Sequence, residues 1–200
     1  MRRLNRFFQK AAPLHNTIPQ PVINRLQKLE LSPGQPILNE VPPNSWIFIE
    51  EGFLMLIKQK DEKWFCIDFY YEGVDIYFHP EFTSDAKDKR YEVCAVERSV
   101  IYYLSPNDED DLREICPDFL HVIMVLSHRT DMRNQRRWVS LRDLPMTRIQ
   151  QIQKHYTILF RAPTYALAEY LGLRSKTLKM ELRTAQQQHQ ERGKGPNDQI

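Results

Sequence analysis

Apolar and polar positions along this chain change their period twice, and each change marks a new kind of element. Met1–Pro13 places Leu4, Phe7, Phe8 and Ala11 on one side of a helix, and Pro19–Leu31 does the same with Val22, Leu26 and Leu29. Ser32-Pro33-Gly34 is turn chemistry. From Gln35 to Leu104 the apolar residues come in short β-branched or aromatic runs. These are Pro36–Leu38, Trp46–Ile49, Phe53–Lys58, Trp64–Tyr71, Tyr91–Val96 and Val100–Leu104. Between them stand Pro42-Pro43-Asn44, Glu51-Gly52, Lys60-Asp61-Glu62, Glu72-Gly73 and the polar Thr83–Lys89. Short strands at this spacing predict a closed or sandwiched all-β unit.

Helical spacing returns after Ser105-Pro106. Asn107 is the expected N-cap, and Asp108–Asp111 bring negative charge to a helix N-terminus, where acids are expected. Pro117 interrupts, and Asp118–Leu144 then runs without Pro or Gly. Its first half carries Phe119, Val122, Ile123, Met124, Val125 and Leu126, apolar nearly all round, so it needs more than one neighbour. One neighbour is the β unit. The other is the same helix of a second subunit or another helix of this chain. Leu144-Pro145 ends the helix, and Thr147–Phe160 forms another. Arg161–Arg183 then reads as two helices around a tight turn. Pro163 suits a first turn, Leu167, Ala168 and Leu171 keep helical spacing, and Gly172 supplies the φ > 0 residue. Leu173 and Leu178 are the inward anchors of the second helix, but Glu181 falls where another anchor belongs, and Leu182 is the expected substitute. The pattern fits a helix-turn-helix or an ordinary helical hairpin. Thr184–Ile200 is polar, without strand pattern, and is expected to fray.

Composition sharpens this only locally. Apolar residues make up 42% of the 200, enough for a core, and the net charge is only +2. The charge is uneven: Arg129–Arg148 holds six arginines against two acids, and Arg161–Lys194 seven basic residues against three acidic. A basic C-terminal half suits a polyanionic partner. Cys66, Cys94 and Cys116 are dispersed and odd in number, which predicts a reducing cytoplasm rather than a disulfide framework. No signal-peptide core or membrane-spanning run is visible. Six histidines lack metal-ligand spacing. Without a nucleophile elbow, a P-loop or a Gly-rich phosphate loop, the chain is expected not to be an enzyme.

This order of elements, with these residues, resembles the Crp/Fnr family of bacterial transcription regulators over roughly Val22–Arg183. The landmarks are Leu31–Leu38, Trp46–Gly52, Val93–Glu97, the long helix, and Tyr165-Ala166-Leu167-Ala168-Glu169-Tyr170-Leu171-Gly172-Leu173 followed by Thr177-Leu178. The resemblance implies an α+β chain in three parts. Residues 1–116 would form a cyclic-nucleotide-binding-like antiparallel β-roll (a double-stranded β-helix), 117–144 a long dimerisation helix, and 145–200 a helix-turn-helix DNA-binding domain with a polar tail. It further implies a homodimer on double-stranded DNA, its recognition helices about one turn apart.

Two departures bear on mechanism. Cyclic-nucleotide binders of the family use a Gly-Glu-Leu segment and an Arg-Ser pair around the phosphate. Here the matching stretch is Gly73–Pro80, with Phe78 or a neighbour at the Glu position, and Lys89-Arg90 at the Arg-Ser position. The roll is therefore expected not to bind cAMP. Lys89 and Arg90 are either a site for another anionic effector or solvated loop residues. In the recognition helix, Met180 stands where relatives have an arginine suited to guanine, and Lys176 replaces an acid. The family's β-hairpin wing is also missing. Arg174, Lys176, Lys179 and Arg183 are candidate phosphate contacts, Ser175, Lys176 and Lys179 candidate base contacts, and Thr177 belongs to the same surface. Three dispersed cysteines exclude a close copy of the family's iron–sulfur sensors, and no cofactor is expected. The competing expectation is a ligand- or protein-binding module that keeps the fold without binding DNA.

Overall fold

A computed structural model describes residues 1–11, 18–37, 40–60, 62–77, 91–116 and 156–193, together with Phe119, Val122, Val125, His128, Met132 and Ile149. The chain divides into two compact units, Met1–Arg137 and Trp138–Ile200. The described elements are α1 (Arg2–Ala11), α2 (Gln20–Arg25), β1 (Gln27–Leu31), β2 (Trp46–Glu51), β3 (Phe53–Lys60), β4 (Lys63–Tyr71), β5 (Asp75–Tyr77), β6 (Tyr91–Ala95), β7 (Ser99–Leu104), α3 (Pro106–Ile115), α4 (Tyr156–Arg161), α5 (Thr164–Tyr170) and α6 (Ser175–Gly193).

The first unit is built on two antiparallel sheets. One has the strand order β1-β7-β2-β5, the other β4-β3-β6. The continuous apolar run of β2 follows from its position. Successive side chains alternate faces, and both faces are covered. Ile47 and Ile49 point into the core between the sheets with Leu31, Leu54, Leu56, Tyr70, Ile76, Val93, Ile101 and Tyr103. Trp46 and Phe48 point outward and are covered by Leu4 and Phe8 of α1, Val22 of α2 and Leu112 of α3. β7 repeats the division, with Ile101 and Tyr103 inward and Tyr102 and Leu104 outward.

The first helix is held at its start by a strand. The Glu50 carboxylate accepts the backbone N–H groups of Arg3 (3.0 Å) and Leu4 (2.9 Å) and pairs with the Met1 ammonium at 2.8 Å. Arg3 returns a bond from its guanidinium to the Glu50 carbonyl at 2.8 Å. A carboxylate at a helix N-terminus meets both orphan donors and the positive end of the dipole.

Three expectations change. The helix beginning at Gln20 stops at Arg25, and Gln27–Leu31 is a strand instead of its continuation. Leu29 and Leu31 alternate with Lys28 and Glu30, and pairing along β7 satisfies the backbone of the whole segment. The N-cap of α3 is Ser105, not Asn107. Ser105 Oγ accepts from the Asp108 N–H, the Asp108 carboxylate accepts from the Ser105 N–H, and Pro106 stands in the first turn. Of the expected Pro36–Leu38 strand, Pro36 makes only an isolated bridge to Cys94, and Leu38 lies outside the described residues.

Beyond α3, the described positions Phe119, Val122, Val125, His128 and Met132 are each helical. Phe119 and Val122 are buried in the outer cluster, Phe119 stacked on Phe8 with ring centroids 6.2 Å apart. Val125 is half-buried, and His128 and Met132 are exposed. The rest of Asp118–Leu144 lies outside the described residues.

Candidate nucleic-acid interface

The second unit holds the pair α5 and α6. Pro163 stands just before α5 with extended backbone (φ −55°, ψ 135°), so it precedes the first turn rather than lying within it. Ala166, Leu167, Ala168 and Leu171 form the buried side of α5. The helix ends in a Schellman turn: Leu173 N–H donates to the Ala168 carbonyl at 2.8 Å, and Gly172 N–H to the Glu169 carbonyl at 2.9 Å. Gly172 adopts φ +62°, the left-handed conformation that this closure demands. The turn leads directly into α6, and Leu178 N–H closes its first turn on the Arg174 carbonyl at 3.0 Å.

On α6, Leu178 is completely buried. Arg174, Ser175, Lys176, Lys179, Met180 and Arg183 are exposed, and Thr177 is half-buried. Lys176, Lys179, Met180 and Arg183 follow one another at intervals of three, one and three, which places them on one side of a helix. The first turn carries no acid. The six candidate residues therefore belong to one short segment whose outward side is basic. Glu181 and Leu182 are both half-buried, so the anchor after Leu178 is shared between them. The helix continues through Gly193 where a frayed tail was expected, and residues 194–200 lie outside the description.

The candidate effector residues Lys89 and Arg90 lie outside the described residues, as do Phe78, His79 and Pro80. The described part of that stretch is structural. Gly73 N–H donates to the Ile49 carbonyl at 2.8 Å, Ile76 lies in the inner core, and buried Asp75 accepts from the Trp46 indole N–H at 3.4 Å.

Sequence reasoning missed one acid. The sequence places Glu109 among several acids at a helix start, yet it is 4% exposed, and its Oε1 has no hydrogen-bond partner. Burial pushes its carboxyl up to about 7. The nearby Arg113 charge, the Trp46 backbone N–H and the Tyr77 hydroxyl pull the other way, and Asp110 adds to the rise. The signal was present: Glu109, Leu112 and Cys116 are spaced three and four apart, so Glu109 shares the inward side of α3.

No family model matches the chain, and no curated protein matches it in sequence. Solved structures do match it in fold. FixK2 from Bradyrhizobium japonicum superposes with a TM-score of 0.66 at 12% identity, covering 82% of this chain and 86% of that one. A cyclic nucleotide-binding domain containing protein from Listeria monocytogenes EGD-e gives 0.64 at 11%, covering 91% and 89%. The c-di-GMP responsive global regulator CLP from Xanthomonas campestris gives 0.57 at 12%, covering 85% and 91%. Identities this low establish likeness of fold and nothing finer. The two sheets, their covering helices and the order of elements give this chain the fold of the Crp/Fnr family regulators.

Proposed function

We propose that the protein is a homodimeric transcription regulator that binds double-stranded DNA through α5 and α6. In this reading α6 is the recognition helix of a helix-turn-helix, carried on residues 145–200. The helix of residues 117–144 joins two copies, and residues 1–116 form an effector-sensing roll that does not take cAMP. The observation that carries the reading is the outward side of α6. Arg174, Lys176, Lys179 and Arg183 are all exposed, no acid stands in the first turn, and a Schellman turn sets the helix directly against α5. A rigid basic helix start presented away from its own core suits a polyanionic groove, where N-terminal residues meet base edges and flanking cations meet phosphates. The division of labour is Ser175, Lys176, Thr177 and Lys179 toward the bases and Arg174 and Arg183 toward phosphates, with Lys176 and Lys179 serving both.

The reading is tested by fluorescence anisotropy of labelled genomic and random duplexes across salt. If the basic residues of two copies meet about 6–10 phosphates, affinity falls roughly 10³- to 10⁵-fold between about 50 and about 200 mM salt. Lys176→Ala with Lys179→Ala weakens binding further. Absence of binding at low salt overturns the reading, and unchanged affinity in the double variant overturns the residue assignment.

A further inference from the structure

Among the described side chains of α6, Met180 is an apolar one that folding does not explain. Leu178 fills the interior at 0% exposure, and Leu182 is half-buried. Met180 lies two positions after Leu178, about 200° around a helix, and is 58% exposed. It stands among cations: Lys179 precedes it, Lys176 lies one turn before and Arg183 one turn after, all exposed. The side that carries the positive charge of α6 thus has an unbranched apolar side chain in its middle.

On the DNA-binding reading above, that place faces the major-groove floor. Base edges there offer hydrogen-bond donors and acceptors and a single apolar group, the C5-methyl of thymine. A thioether with three rotatable bonds can neither donate to guanine nor pair with adenine, but it can cover a methyl group. We infer that Met180 reads a thymine in each half-site by packing on its C5-methyl. The residue thereby sets sequence preference without adding charge. The contact leaves the surrounding phosphate contacts unchanged, so its loss alters specificity more than salt dependence.

The test uses the full-length protein. Selection from random duplexes first yields a preferred site, and each thymine in it is then replaced singly by deoxyuridine, which lacks only the methyl group. The expected result is one thymine per half-site at which deoxyuridine weakens wild-type binding roughly threefold to fivefold, the scale of one buried methyl. Met180→Ala abolishes that difference at that position alone, while Met180→Leu retains it. Both variants keep the wild-type melting temperature, because the side chain is exposed. If the protein binds DNA but no thymine is sensitive, or the sensitivity persists in Met180→Ala, the inference is overturned and DNA binding stands. If it binds no duplex at low salt, the DNA reading itself is overturned, and this inference with it.

Discussion

At Gly52 a single added atom would meet backbone. Its φ is +102°, and a Cβ built there would lie 2.6 Å from the Ser99 Cα. Ser99 cannot withdraw: its Oγ accepts from the Phe53 N–H at 3.2 Å and donates to the Glu97 carbonyl at 2.8 Å. Backbone strain and overlap act together, so Gly52→Ala should lower stability by roughly 2–3 kcal/mol, read as a shift of the denaturant midpoint. Two carboxyls give stability opposite dependences on pH. Glu109 has a folded pKa raised from 4.5 to about 7. The folded state therefore holds a proton that the unfolded state has released, and stability falls as pH rises from about 4.5 through about 7. The loss is on the order of 2–3 kcal/mol. Glu109→Gln should flatten that fall and melt higher than wild type at pH 8. For Glu50, burial pushes its carboxyl up, but the Met1 ammonium and the Arg3 and Leu4 N–H groups outweigh it and hold it below 4.5. Its contribution is present above 4.5 and is lost as pH falls. Glu50→Gln should therefore destabilise at neutral pH and cost little in strong acid, as thermal melts across pH would show.

At the scale of elements, α5 and α6 depend on one turn and one anchor. Gly172→Ala forces a Cβ into the left-handed conformation and should cost about 1 kcal/mol. Leu178→Ala opens a cavity under α6 and should cost roughly 2–5 kcal/mol, with melting of the C-terminal unit as the measure. The same scale separates what could be read in the chain from what could not. β2, β3, β4, β6 and β7 were legible because their apolar runs are bounded by turn residues, Gly52 and Gly73 among them. β5 was not. Asp75-Ile76-Tyr77 is too short to show a period, and its strand character comes from Ile47 and Phe48 opposite. β1 misled because Val22, Leu26 and Leu29 keep helical spacing across a helix–strand boundary. Only the partner strand decides between that spacing and the alternation of Leu29 and Leu31. In the candidate interface, position and charge were legible from Gly172 and the lysines. That Met180 stands outward while Glu181 shares the anchor with Leu182 required the packing around Leu178.

At the scale of the whole molecule, the proposed function gives residues 117–144 the task of joining two copies. Phe119 and Val122 are committed to the outer core beside Phe8 and Trp46. Further along, His128 and Met132 are exposed in the single chain. On the proposed dimer reading, the exposed Met132 is a candidate contact with a symmetric partner. Sedimentation should give twice the mass of one chain, and charged substitution of Met132 should shift the equilibrium toward monomer while leaving the roll folded. Two copies would then place two α6 helices on one duplex, roughly one helical turn apart. The most direct measurement is the unbiased map of genomic sites that the protein occupies in cells. The account predicts discrete sites sharing an inverted repeat with half-site centres about 10 base pairs apart, which are lost with Lys176→Ala and Lys179→Ala. Occupancy no different from that of the double variant, with no shared sequence, would contradict it.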